Sequence, residues 1–154
     1  IYANNLKEYL RLVEISSEIE YVDSSFLKKE FNLKGIKFLK ATHVESLPCY
    51  SFVFEDDEDL IYYSADNSNI DYIKHYLQFD NSTIYTEICD NSNLQKEHLY
   101  LPYLEKELSM SERKRVFLMH IDEFINLEEL INKGFNIPKK RKKEKDYGRK
   151  IKIK

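Results

Sequence analysis

The chain has 154 residues, 42% hydrophobic and 14% aromatic, with 33% charged and a formal net charge of −3. That length supports one domain with its own core, and the composition excludes a disordered or low-complexity chain. No apolar run approaches the roughly 18 residues of a membrane span, and two cysteines, Cys49 and Cys89, suit a reducing cytoplasm better than a disulfide framework.

The opening Ile1-Tyr2-Ala3 reads as a strand end running straight into a helix. A strand end with no partner before it is expected to belong to something longer. Asn4–Ile15 (NNLKEYLRLVEI) puts Leu6, Tyr9, Leu10 and Val13 on one face, with Asn4 or Asn5 as N-cap, which predicts an amphipathic helix. Glu20–Asp23 reads as a short strand. Phe26–Phe31 is ambiguous, with a turn of helix the nearest reading. Gly35 breaks the pattern, and Ile36–Ala41 (IKFLKA) alternates as a strand leading to His43.

Tyr50–Glu55 alternates and is rich in β-branched and aromatic residues. Glu55–Asp59 is five acidic residues, which cannot pack in a core and so predict a turn. Leu60–Tyr63 is a second short strand, ending at Ser64 just before Asp66. Asn69–Leu77 places Ile70, Ile73 and Leu77 on one helical face, and His75 is an ordinary residue of that helix. Ser82–Ile88 (STIYTEI) is a strand whose end carries Glu87. The polar loop after it, CDNSNLQKEH, suits the rim of a site and closes on His98.

Leu99–Leu108 predicts a helix, with Pro102 tolerated in its first turn. Ser111–Arg115 reads as a charged turn, and Val116–Met119 as a strand ending in His120. Asp122–Asn132 predicts a helix offering Phe124, Ile125 and Leu130 to the core, and Gly134 stops it as a C′ residue. Phe135–Ile137 looks like a short strand. Ten of the 24 basic residues but two of the 27 acidic ones fall in 139–154, a basic tail on an acidic body. Such a tail suits nucleic acid or another acidic surface, although a solvated end is the plainer reading. Arg149–Lys154 alternates as a last edge strand. The order of elements predicts an α/β layered fold with a mixed β-sheet and flanking helices.

Three strand ends therefore carry Asp66, Glu87 and His120, and His43 precedes another strand. Taken singly, each is a capping or surface group. Together they suggest a site, because strand ends gather residues that are distant in sequence. The sequence has no P-loop, no Gly-rich dinucleotide turn and no G-x-S-x-G elbow. Cys89 beside Glu87 is a weak nucleophile candidate. Imidazole with carboxylate fits Zn²⁺, Mn²⁺ or Fe²⁺. His43, Asp66 and His120 alone are too few to hold two catalytic cations, and the chain has no H-x-H or H-x-x-H cluster.

The order of these motifs resembles the C-terminal half of a metallo-β-lactamase-superfamily hydrolase, in the ribonuclease Z and phosphodiesterase branch. The resemblance is carried by His43 ahead of the aromatic strand, Ser64-Ala65-Asp66-Asn67 after a strand, Tyr85-Thr86-Glu87, His98-Leu99-Tyr100, and Phe117-Leu118-Met119-His120. It spans about residues 1–137, with the basic tail of 138–154 outside it. It implies half of an αββα sandwich and a site for two divalent ions, Zn²⁺ or Mn²⁺. In it His43 binds one ion, Asp66 bridges both and His120 binds the other. His98 would act on the leaving group or scissile phosphate as a general acid, and Glu87 would support it from behind.

The resemblance also implies a complementary N-terminal half bearing the His-x-His-x-Asp-His ligands, an RNA or cyclic-nucleotide substrate, and a half-domain prone to self-association. Ala65 stands where the family has Gly, Asn67 where it has Thr, and Tyr100 where Ser or Thr is common. Two expectations follow. One is a metal-dependent phosphodiesterase or ribonuclease of which this chain supplies half the site. The other is a catalytically inactive scaffold or binding module of the same fold.

Overall fold

In a computed structural model of the protein, residues 24–44 and 49–139 are described. The predicted helix at Asn4–Ile15, the strands at Glu20–Asp23 and Arg149–Lys154, and the opening Ile1-Tyr2-Ala3 lie outside them.

Helix α1 (Ser24–Glu30) leads into β1 (Gly35–Lys40), β2 (Tyr50–Glu55) and β3 (Leu60–Tyr63). These strands form an antiparallel meander, paired from Phe38 opposite Phe52 to Phe52 opposite Tyr63. The acidic run is the β2–β3 turn, as its charge requires. Asp56 organises it, its Oδ1 accepting from the Glu58 and Asp59 N–H groups at 2.9 and 2.7 Å.

The chain then changes direction. Helix α2 (Asp71–Tyr76) carries it to β4 (Ser82–Glu87), which lies parallel to β3. A 3₁₀ turn (Ser92–Leu94), α3 (Leu101–Glu107) and α4 (Met110–Arg113) bring it to β5 (Val116–Met119), parallel to β4. Helix α5 (Leu127–Asn132) follows. The result is a mixed five-stranded sheet in the order β1-β2-β3-β4-β5, with helices in the crossovers that parallel strands require. The α/β class predicted from the element order is the observed one.

Alternation along the strands sorts the side chains onto two faces. Val53, Tyr62, Ile84, Val116 and Leu118 point to one face and are buried with Ile73 and Tyr76 of α2, Leu104 of α3 and Leu130 of α5. Tyr62 stacks on Tyr76 with ring centroids 5.2 Å apart. Phe38, Phe52, Phe54, Tyr63, Tyr85 and Phe117 point the other way. Their rings meet in two sets, one running from Phe38 to Phe52, 5.4 Å apart, and on to Tyr63, the other pairing Tyr85 with Phe117 at 4.9 Å. They keep partial exposure, reaching 52% at Phe38 and 39% at Tyr63.

Several expected boundaries move. The helix predicted at Asp122–Asn132 starts only at Leu127, because the Asn126 side chain caps it by accepting from Glu128 N–H. Phe124 is consequently left 89% exposed instead of reaching the core. Ser111–Arg115 is not a simple turn. Its first part belongs to α4, held by a reciprocal capping box between Ser109 and Glu112. The helix predicted from Leu99 starts at Leu101, with Pro102 in the first turn as expected. Phe135–Ile137 contributes a single bridge, Asn136 to Phe117, and Gly134 takes a φ of 89° after α5.

Candidate metal centre

The C-terminal ends of parallel strands are where an α/β sheet presents groups to a crevice. Three loops meet there: residues 41–44 after β1, 64–69 after β3, and 88–98 after β4. His120 arrives from the end of β5. The β3 loop turns sharply at Ala65, whose φ is 50°. In that left-handed region glycine is free and alanine is strained, so this turn carries a Cβ where glycine would sit more easily. His120 also has a φ of 50° and bends the chain off the end of β5.

Glu87 is the buried centre of the site. Its carboxylate is 3% exposed, so it needs partners, and it has three. Oε1 accepts from the Asn67 and Leu99 N–H groups at 3.0 and 3.4 Å. Oε2 lies 2.6 Å from His98 Nδ1. Because a carboxylate only accepts, His98 carries a proton on Nδ1 and turns Nε2 outward. His43 is fixed by the same logic. Its Nδ1 donates to the Glu97 carbonyl at 2.8 Å, which leaves Nε2 bare.

The imidazoles follow one another across the site. His43 and His98 have ring centroids 5.0 Å apart, and His98 and His120 have theirs 6.3 Å apart. Asp66 Oδ1 faces His120 Nδ1 at 3.6 Å, too long for a hydrogen bond. Donor atoms of Asp66, Glu87 and His120 converge within 4.8 Å of one another, the one such group of three among the described residues. His43 is not in that group; it stands beside His98. Within the group, the oxygens of Glu87 are already occupied by N–H donors, whereas Asp66 is 43% and His120 68% open to solvent. Asp66 and His120 are thus the open donors of the group, and Glu87 is the residue that orients His98.

One residue with a central place here, Asn67, is not among the site residues that the sequence suggested. Asn67 is 1% exposed, and its amide is fully used. Oδ1 accepts from Thr42 and Asn69 N–H at 2.9 and 3.0 Å. Nδ2 donates to Ser51 Oγ at 2.9 Å and Tyr62 Oη at 3.2 Å. Ser51, a polar residue at an inward strand position, was the available signal that something polar had to meet it. Burial pushes the Tyr62 hydroxyl up from 10.0 to about 12, against the opposing pull of its hydrogen bonds with Ser51 and Asn67.

The thiols do not join the chemistry. Burial pushes the Cys89 thiol up, and its Sγ donates to the Asn91 carbonyl at 3.7 Å. Cys49 is also pushed up by burial and then by the charges of Asp66 and Glu87. Both remain protonated near neutrality and make poor nucleophiles.

No protein family model matches the chain, and no curated protein does. Among solved structures it is similar to the metallo-beta-lactamase fold protein YhfI from Bacillus subtilis, at 20% identity and a TM-score of 0.47, over 68% of this chain and 46% of that one. It is also similar to a long form RNase Z from yeast, at 14% identity and a TM-score of 0.42, over 75% of this chain and 19% of that one. The chain spans about half the length of the first (46%) and about a fifth of the second (19%). Among the described residues, no helix is long and apolar enough to cross a membrane.

Proposed function

We propose that this chain supplies half of a dinuclear, metal-dependent phosphodiester hydrolase. The observation that carries the reading is the convergence of Asp66, Glu87 and His120 within 4.8 Å, beside a histidine held by a buried carboxylate. The donor set fits a divalent transition metal, since carboxylate and imidazole together suit Zn²⁺ or Mn²⁺. Asp66, His120 and His43 would be the residues of this chain that hold the ions. The ions, when bound, polarise a phosphoryl oxygen and acidify a water.

The chain's own residues do the rest. Glu87 holds the His98 ring in one orientation. When the ring carries a second proton, His98 can give it from Nε2 to the departing oxygen. The remaining ligands come from a complementary half, and the basic run of residues 139–154 suits an RNA substrate over a small cyclic nucleotide. The rival reading, an inactive scaffold or binding module, draws on the exposed rings of the open sheet face.

Metal binding separates the two. Native mass spectrometry and isothermal titration with Zn²⁺ should show binding by the full chain. Asp66→Ala should weaken it at least about tenfold, the loss expected even for removal of a ligand's supporting partner. Equal binding by the two proteins, or none by either, sinks the metallohydrolase reading and leaves the scaffold.

A further inference from the structure

We propose that Asn67 is the positioning residue of this site: it sets His43, Asp66 and His98 in a single frame. The metal-hydrolase reading supplies what the frame is for, while the frame itself stands on hydrogen bonds. Asn67 adjoins Asp66, so whatever fixes its side chain fixes the turn that presents the Asp66 carboxylate. Its Oδ1 holds the Thr42 N–H, one residue before His43. Its own N–H holds Glu87 Oε1, whose other oxygen holds His98. Its Nδ2 anchors all of this to Ser51 and Tyr62 in the sheet, and Ser51 Oγ in turn donates to the Ser64 carbonyl at 2.7 Å.

No shorter side chain reaches both the Thr42 N–H and the Tyr62 hydroxyl. A buried amide with every donor and acceptor used also has one orientation, since a flipped amide would set donors against donors. The Asn67 side chain has no free polar atom to offer a cation or a substrate, so its role runs through its neighbours.

The test uses the full chain, ¹⁵N-labelled, with histidine tautomers read by NMR at pH 8 and Zn²⁺ affinity read by titration. In the wild type, His43 and His98 should each show a single tautomer with Nδ1 protonated. Asn67→Ala should mix the His98 tautomers and weaken Zn²⁺ binding by about tenfold to a hundredfold. Asn67→Asp keeps the acceptor oxygen, and the Tyr62 hydroxyl can rotate from Ser51 to donate to the second one while Ser51 stays on the Ser64 carbonyl, so it should restore the single tautomers.

A folded Asn67→Ala protein with a lower Tm but unchanged tautomers and Zn²⁺ affinity would reduce Asn67 to a core residue and overturn the proposal. Mixed tautomers in the wild type would do the same. If Asn67→Ala does not fold, Asn67→Asp decides: single tautomers uphold the frame and mixed ones overturn it. Single tautomers in a wild type that ignores Zn²⁺ uphold the frame while removing the metal reading.

Discussion

The two faces of the sheet are both rich in large apolar side chains, yet they are finished differently. On one, Val53, Tyr62, Ile84, Val116 and Leu118 are at most 2% exposed, covered by helices that this chain provides in its crossovers. On the other, Phe38, Phe52 and Tyr63 meet ring to ring, as Tyr85 and Phe117 do, and this face still meets solvent. Propensity alone does not separate them, since both faces suit a strand. What separates them is whether the described residues supply a covering layer. An aromatic face spanning five strands suits a second layer, as the half-sandwich reading expects.

The contrast can be broken most directly by truncation. Leu118→Ala empties a closed core and should cost about 2–5 kcal/mol in denaturant unfolding. Phe38→Ala, on the open face, should cost the isolated chain clearly less, about 1 kcal/mol, because its side chain stays 52% exposed. Equal losses would erase the difference between the faces.

Tyr62 sharpens the comparison from the closed side. Its hydroxyl titrates near 10.0 when free and at about 12 in the fold, chiefly through burial. A raised tyrosine favours the folded state fully below the unfolded value. That advantage is lost as pH climbs from about 10 to about 12, where the unfolded chain sheds the proton first. The loss is roughly 2–3 kcal/mol, and Tyr62→Phe should flatten the alkaline limb of a stability–pH curve. An unchanged limb would mean that the closed face admits water at Tyr62. The smallest effect belongs to the rim shared by the two faces. Ala65→Gly relieves a left-handed alanine and should raise stability by about 1 kcal/mol or less, net of glycine's entropy. A fall in Tm would show the turn is unstrained.

Much of this was readable in the sequence where one local pattern decided the outcome. The alternation of Tyr50–Glu55, the charge of Glu55–Asp59 and the short run Leu60–Tyr63 define the hairpin without outside help. The strand ends placed Asp66, Glu87 and His120 correctly, because a parallel sheet aligns those ends. The Asp122–Asn132 helix began late because Asn126 competes for the backbone as a cap, and periodicity does not register that. The Ser109–Glu112 capping box was legible but hidden by the charge around it. The Asn67 network was out of reach. Its partners, Thr42, Ser51, Tyr62 and Glu87, are brought together only by the sheet, and no spacing announces them.

Each donor of the site stands at or just past the end of its own strand, and a crossover separates it from the next. This makes the site indifferent to loop length and intolerant of strand length. Residues added to the crossover between α2 and β4, or between α3 and β5, leave Asp66, Glu87 and His120 at the same end of the sheet. One residue added inside β4 reverses its alternation and turns Glu87 towards the helices, away from His98. Insertions in relatives of this chain should therefore gather in the crossovers, and the count of residues within β4 should stay fixed.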